Sequence, residues 1–198
     1  MIDRHTFGKI GRASVVAITF ALSACATGGS APATYDLSAA REFSSGGRSS
    51  AHMVVMEPRA ISALSNERIM VREDAARVSY YPDSQWTDQL PRLVQARLTQ
   101  AFENSNRFRA IGQNGDGLKA DFILVTEVRR FEYSPTEGAV VSLYVKLVND
   151  RNGRVRAARL FEATDQGSGD EVEAVVNALD RAFTEVQRDI VAFAVRRI

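Results

Sequence analysis

The sequence predicts an α+β domain in which two amphipathic helices pack on a mostly antiparallel or mixed sheet. Two hydrophobic periods support this class. Apolar and polar residues alternate over several segments, which is typical of strands with one buried face. In two other segments apolar residues recur at the three- and four-residue spacing of a helix. With 198 residues, 45% of them hydrophobic, the chain can bury the core of one such domain.

Three strands are predicted before the first helix. Residues 51–56 are mainly apolar, and the strand stops before Pro58, which cannot donate to a sheet ladder. Residues 67–72 and 76–80 contain β-branched and aromatic side chains between turn residues. These three segments begin the sheet.

The first helix is predicted to follow directly. Asp83 or Ser84 can cap it, because a side-chain oxygen there accepts a hydrogen bond from a free backbone amide. Trp86 falls in its first turn, and Pro91 is tolerated because it lies near the start. Apolar residues then recur at helical spacing as far as Asn104.

Four further strands and a second helix complete the domain. The strands are expected at 108–111, 121–131, 139–148 and 155–164, the last two joined by a hairpin turn at 149–153. The second helix is predicted to be capped by Asp170 and to carry one apolar stripe as far as Phe193. The predicted order is therefore β-β-β-α-β-β-β-β-α.

The first 24 residues have the anatomy of an export signal. A basic start precedes an apolar run at 13–22, which is shorter than the roughly 20 residues that a membrane-spanning helix needs. The segment Leu22-Ser23-Ala24-Cys25 resembles the lipobox of bacterial lipoprotein precursors, and Cys25 is the only cysteine. The resemblance implies cleavage before Cys25, with diacylglycerol on its thiol and an acyl chain on its new amino group. The alternative is cleavage at Ala24 or Ala26 that leaves a free cysteine.

These features divide the chain into three parts. Residues 1–24 are the predicted lipoprotein signal peptide, 25–50 the lipidated N-terminus with a flexible tether, and 51–198 a single domain. The small and polar composition after Cys25 is typical of a tether. Residue 26 is Ala rather than the Asp that retains many enterobacterial lipoproteins on the inner membrane, so we expect a lipid-anchored protein on the outer membrane, facing the periplasm.

The composition indicates neither catalysis nor nucleic-acid binding. The net charge is +1, but the first 24 residues contribute +2, so the remainder carries −1 and does not attract nucleic acid. His52 is the only histidine after the leader, and the chain lacks the usual hydrolase, dinucleotide, P-loop and zinc-protease motifs. We therefore expect no enzyme, no metal site and no cofactor other than the lipid on Cys25.

Arginines form two further groups on the predicted strands. Arg129 and Arg130 are adjacent, and Arg154, Arg156 and Arg159 follow on the last strand. Either group could bind lipid phosphate or an acidic partner. The competing interpretation, which we favour, is that they lie on the exposed face of the sheet.

Several segments together resemble the ABC-type transport auxiliary lipoprotein family, whose PqiC-like members are accessory lipoproteins of MCE-type lipid transport systems. The resemblance depends mainly on Tyr80-Tyr81, Trp86 and Leu90-Pro91 in this order and spacing. An early Tyr35-Asp36-Leu37 and the closing amphipathic helix extend it over most of the chain after Cys25. The loose region at 41–66 departs from the pattern.

The resemblance implies an accessory subunit that acts by docking. Its partners would be an MCE-domain protein with its ABC permease and ATPase, and together they would move phospholipid between two membranes. Trp86, Tyr80 and Tyr81 are the candidate partner-binding residues, although Trp86 could instead pack inside the domain. The resemblance also leaves room for a homo-oligomer. Two alternatives stay open: a structural or assembly lipoprotein of another envelope complex, and an envelope hydrolase that uses His52.

Overall fold

Nine strands and two helices make up residues 31–198, the part of the chain that the structure, a computed structural model, describes. The strands form one mixed sheet, so the predicted α+β class is confirmed. The elements in chain order are β1 (Ala33–Tyr35), β2 (His52–Val55), β3 (Arg59–Ala60), β4 (Arg68–Arg72), β5 (Val78–Trp86), α1 (Leu90–Ser105), β6 (Ala110–Gln113), β7 (Phe122–Ser134), β8 (Gly138–Asn149), β9 (Val155–Asp165) and α2 (Val172–Arg197).

Strand β7 organises the sheet. On one side β8 pairs with it antiparallel along its whole length, and β9 pairs antiparallel with β8. On the other side β2, β3 and β4 pair with β7 in parallel at successive positions. Beyond them β6 runs parallel to β2, β5 antiparallel to β4, and β1 parallel to β5. The long antiparallel hairpins match the alternation in the sequence, whereas the short parallel pairings make the sheet mixed.

The helices and the sheet enclose a single hydrophobic core. Helix α2 packs on β7, β8 and β9, while α1 packs on β2, β6 and α2. Aromatic rings meet edge to face in this core. The ring centroids of Phe131 and Phe183 are 5.6 Å apart, and those of Phe161 and Phe193 are 5.3 Å apart. Such pairs contribute roughly 0.5–1.5 kcal/mol beyond the area that they bury.

Both predicted helix starts are wrong. Strand β5 continues through Asp83 and Ser84 to Trp86, and α1 begins only at Leu90. The reason is tertiary: the Trp86 amide donates to the Glu67 carbonyl at 2.7 Å, and β5 pairs with β4 and β1 there. These ladder bonds outweigh the local capping preference. Helix α2 has Glu171 at its N-cap, without a side-chain capping bond, instead of Asp170.

Anchor attachment and candidate docking surfaces

The predicted export signal and the lipidation residue Cys25 lie outside the described residues, so both stay predictions. Within residues 31–198, neither helix combines the length and the apolar character needed to cross a membrane. The structural question is therefore how the domain is connected to the segment that carries Cys25.

That connection is a segment of residues 33–50, here called the N-terminal strap. It begins with β1, which adds to the sheet beside β5. It then crosses the helices, where Leu37 is 4% exposed and Ala40 is completely buried. The predicted flexible tether over 25–50 is wrong for the strap, because its apolar side chains join the core. The domain boundary moves from residue 51 to Pro32, where the compact unit begins.

The side-chain amide of Gln187 in α2 hydrogen-bonds the backbone of the strap, as the peptide groups of a neighbouring strand would. Its side chain is completely buried. Its Oε1 accepts a hydrogen bond from the Ala40 amide at 3.0 Å, and its Nε2 donates to the Ser38 carbonyl at 2.9 Å. From α1, the Asn104 amide donates to the Ala40 carbonyl at 2.9 Å. Both helices thus satisfy the amide and the carbonyl of the buried Ala40, which would otherwise lack partners.

Charged contacts fix the two ends of this crossing. The Asp36 carboxylate pairs with the guanidinium of Arg97 in α1, and Arg188 of α2 donates to the Glu42 carbonyl at 3.1 Å. Burial raises the pKa of Asp36, but the hydrogen bonds from Arg97 and the Leu37 amide lower it by more, leaving it below its ordinary 3.8. An open groove of about 1150 Å³ lies beside the strap and carries charges of both signs.

The sequence contains a signal for Gln187 that the prediction did not use. Gln187 lies four residues after Phe183 and three before Ile190, both members of the apolar stripe of α2. A polar residue on a buried helical stripe needs a hydrogen-bonding partner. The identity of that partner, a strap about 147 residues earlier in the chain, was beyond local reasoning.

Trp86 is a core residue and not a surface anchor. It is 1% exposed, and its ring meets Phe131 edge to face at 5.9 Å. As the last residue of β5 it is directed into the space between sheet and helices. The candidate role of Trp86 in binding a partner is therefore wrong, and its competing interpretation, internal packing, holds.

Tyr80 and Tyr81 are half-buried and stay candidates for a docking surface. The Tyr80 hydroxyl donates to the Ala63 carbonyl at 3.0 Å, and the Arg68 guanidinium lies 3.7 Å from the centre of its ring. The Tyr81 hydroxyl donates to the Asp170 carbonyl at 2.8 Å, and burial raises its pKa to about 12. Both hydroxyls are thus engaged within the domain, and the partly exposed rings are what a partner could contact.

Arg130 belongs to an ion-pair network that the prediction missed. The ladder between β7 and β8 shifts register after Val128, which places Phe131 in the core and turns Glu132 to the other face. Glu132 is 1% exposed there and accepts from Arg72 at 2.7 Å and from Arg130 at 2.8 Å.

Arg130 also makes a bidentate pair with Glu137, with distances of 2.9 and 3.0 Å. The hydrogen bond with Glu137 raises the pKa of Arg130, and the same bond lowers that of Glu137. The guanidinium of Arg130 is therefore committed to carboxylates within the domain. By contrast, Arg154, just before β9, and Arg156 and Arg159 within it are exposed. Arg156 also donates to the Arg197 carbonyl of α2 at 3.1 Å.

His52 is the first residue of β2. Its Nδ1 is 3.4 Å from the Lys119 carbonyl, and its backbone amide donates to the Asp121 carboxylate at 3.0 Å. No group of three or more His, Cys, Asp or Glu side chains in residues 31–198 is arranged to hold a metal ion. The Lys119 carbonyl and the Asp121 carboxylate are thus the hydrogen-bonding neighbours of His52 among the described residues.

A sequence model of the ABC-type transport auxiliary lipoprotein component matches residues 35–191. The chain belongs to this family. The match begins within β1 and ends within α2, so the strap is part of the family domain. The description of this family names its members as auxiliary components of ABC-type transport.

One curated relative is similar to most of this chain. The uncharacterized protein bll6063 of Bradyrhizobium diazoefficiens is 33% identical over 176 residues, an alignment that covers 85% of this chain and 47% of the relative. The chain therefore spans about half the length of this curated relative.

Solved structures share the fold of the auxiliary lipoprotein domain. The crystal structure of protein XCC0632 from Xanthomonas campestris, described as DUF330, has a TM-score of 0.77 at 24% identity and covers 83% of this chain and 95% of its own. The hypothetical protein CT253 of Chlamydia trachomatis has a TM-score of 0.52 at 11% identity, with 75% and 98% covered.

Proposed function

We propose that this chain is a lipid-anchored accessory subunit of an MCE-type ABC transport system that moves phospholipid between the membranes of the envelope. It acts by docking the MCE-domain protein of that system, which in turn works with an ABC permease and ATPase. The lipid on Cys25 holds it to the outer membrane, facing the periplasm.

The observation that carries this proposal is that hydrogen bonds and an ion pair from α1 and α2 hold the N-terminal strap against the domain. A docking subunit must transmit the position of its anchor to its binding surface, and a long flexible tether would not do so. From Cys25 to Ala33 is eight residues, which span at most about 28 Å when fully extended. Because α1 and α2 hold the strap from Asp36 onward, the β1 side of the domain stays within that distance of the membrane surface.

The anchor itself is strong enough for this role. Each buried methylene contributes about 0.8 kcal/mol, so one acyl chain binds marginally and several bind almost permanently.

The half-buried rings of Tyr80 and Tyr81 are the proposed contact for the partner. They lie on β5, the strand that also pairs with β1 of the strap, so anchor attachment and docking surface share one strand.

Affinity capture from membranes tests the proposal. Native chain and a Cys25→Ser variant are expressed at equal level, with Asp189→Ala as a control on the exposed face of α2. We expect native chain and control to recover an MCE-domain protein with its permease and ATPase. Cys25→Ser should leave the membrane fraction and lose that recovery.

Failure of the native chain to recover any MCE-domain protein would refute the proposed partner. Recovery of a different envelope assembly instead would favour a structural or assembly lipoprotein. Retention of Cys25→Ser at the membrane would show that the anchor is not the acylated cysteine.

A further inference from the structure

Several strands and helix α2 begin or end together at one end of the domain. Strand β2 begins there with His52, whose amide donates to the carboxylate of Asp121, the residue before β7, at 3.0 Å. The first residue of β6 pairs with His52, and the first residue of β7 pairs with the last residue of β8. Near the start of β9, Arg156 donates to the carbonyl of Arg197, the last residue of α2, at 3.1 Å. These contacts bring the ends of five strands and of α2 together.

Basic side chains cover this end, which is here called the basic pole. Seven exposed cations of the pole form no ion pair within the described residues, and they are Arg48, Arg109, Lys119, Arg154, Arg156, Arg196 and Arg197. An eighth cation, Arg151, pairs with Asp121 at 2.9 Å, and Asp150 is the second carboxylate at these strand ends. Even a terminal carboxylate at Ile198 leaves the cations in excess. The rest of the chain after the leader is therefore negative, because residues 25–198 together carry −1.

Backbone contacts locate the cations that lie outside the strands and α2. The Arg109 amide donates at 3.2 Å to the carbonyl of the residue directly before β2. The Lys119 carbonyl lies 3.4 Å from Nδ1 of His52. Arg48 precedes Ser49, which lines a cleft of about 370 Å³ between the start of β7 and the end of α2. Cations from separate segments of the chain thus share one surface.

Local interactions explain only some of these positions. Arg196 and Arg197 lie in the last turn of α2, where the negative end of the helix dipole favours a cation. Arg48, Arg109 and Lys119 lie on other segments and not on α2. Like charges that are gathered on one surface repel each other and destabilise the compact state, whereas they attract an oppositely charged partner. The basic pole is therefore typical of a surface that binds an anionic partner.

The basic pole lies far from the attachment of the predicted anchor. Ladder pairings through β5 and β4 align Ala33 with about the level of Phe131 in β7. Phe131 is nine residues after Phe122, which lies at the pole, and these residues span about 30 Å of strand. The eight residues from Cys25 to Ala33 reach at most about 28 Å. With the anchor of the proposed function, on which this step rests, the pole faces away from the membrane that holds the lipid.

We propose that the basic pole binds an acidic segment of a partner protein. Arginine provides six of its seven unpaired cations, and a guanidinium binds a carboxylate through two parallel hydrogen bonds. The cleft at the pole is lined mainly by polar residues, including Ser49, Ser50 and Asn149. Such a lining suits carboxylate side chains and not the acyl chains of a lipid. Complementary charge also accelerates the association of two proteins.

Carbodiimide cross-linking tests the proposal on the purified full chain in non-ionic detergent. The probe is a short peptide of alternating Glu and Ser, acetylated and amidated so that it has no amine. The reagent joins a carboxylate to a lysine, and Lys119 and Lys146 are the two lysines after the leader, both exposed. Lys119 belongs to the pole and Lys146 lies on β8, so Lys146 is the internal control. We expect the mass spectrum to show the peptide on Lys119 and little on Lys146. Equal labelling of the two lysines, or none on Lys119, overturns the proposal.

Charge reversal supplies a second test with a matched net charge. The pole variant combines Arg154→Glu with Arg196→Glu. The control combines Arg59→Glu with Arg92→Glu, which are exposed and have no ion pair in the described residues. We expect the pole variant to lower the affinity for the peptide roughly tenfold and the control to leave it nearly unchanged.

Three results of these measurements overturn the acidic segment. Equal losses in both charge variants would show that net charge decides. Displacement of the peptide by an equal charge of phosphatidylglycerol would assign the pole to a lipid surface. Cross-links from Lys119 to a second copy of the chain, formed without peptide, would assign it to self-association. Recovery of an MCE-domain protein is a separate measurement, so either proposal can fail without the other.

Discussion

Removing the Gln187 side chain should release the N-terminal strap while the rest of the domain stays folded. In Gln187→Ala the Ala40 amide and the Ser38 carbonyl both lose their partner. Ala40 is completely buried, so water does not replace the lost bond to its amide, whereas Ser38 is exposed and its carbonyl can turn to solvent. The cost therefore falls mainly on one buried donor.

The free-energy cost of Gln187→Ala follows from the Ala40 amide and the Ser38 carbonyl. An unsatisfied buried amide costs about 1–3 kcal/mol, and the loss of a second hydrogen bond about 1 kcal/mol. The expected loss for strap docking is about 2–4 kcal/mol. Since about 1.4 kcal/mol is a tenfold change in an equilibrium constant, opening of the strap should become roughly 30- to 700-fold more frequent.

Native-state hydrogen exchange resolves this change by segment. Amide hydrogen exchange of residues 37–43 should accelerate by the same factor as strap opening, whereas exchange in β8 should stay close to that of the unchanged chain. Asp189→Ala serves as the matched control, because Asp189 lies two residues further along α2 but on its exposed face. Unchanged exchange in the strap would refute the role of Gln187. Equal acceleration in β8 would show that the strap unfolds only together with the whole domain.

Three further outcomes follow from the site. Trp86→Ala should lower the free energy of unfolding by about 3–5 kcal/mol in urea denaturation, and an unchanged midpoint would place Trp86 at the surface. Glu132→Ala should cost about 2 kcal/mol, less than a fully buried pair because its arginines are partly exposed, and Glu132→Gln less. Partners lower the pKa of Glu137 and Asp165 below their ordinary 4.5 and 3.8, so both stabilise the fold above those values. Acid titration below about pH 4.5 should remove this stability, and Arg181→Ala, which lacks the partner of Asp165, should show a smaller pH dependence.

Strand prediction was accurate for strands whose own pattern of apolar and polar residues indicates them. The alternation in β7, β8 and β9 reflects a sheet with one face against α2, and it placed each strand within a few residues. The same reasoning failed at Asp83 and Ser84, because their strand conformation depends on pairing with β1 and β4. A capping preference of about 1 kcal/mol does not outweigh several ladder hydrogen bonds.

By itself the sequence determined the fold class and the resemblance that the family match confirms, and it predicts a leader that ends before the single cysteine. These properties depend on local period and residue order. Only the tertiary structure decided that Trp86 is internal, that Arg130 is paired, and that residues 33–50 belong to the domain. Each of these depends on contacts between distant segments, such as Ala40 with Gln187, whose energies no local pattern encodes.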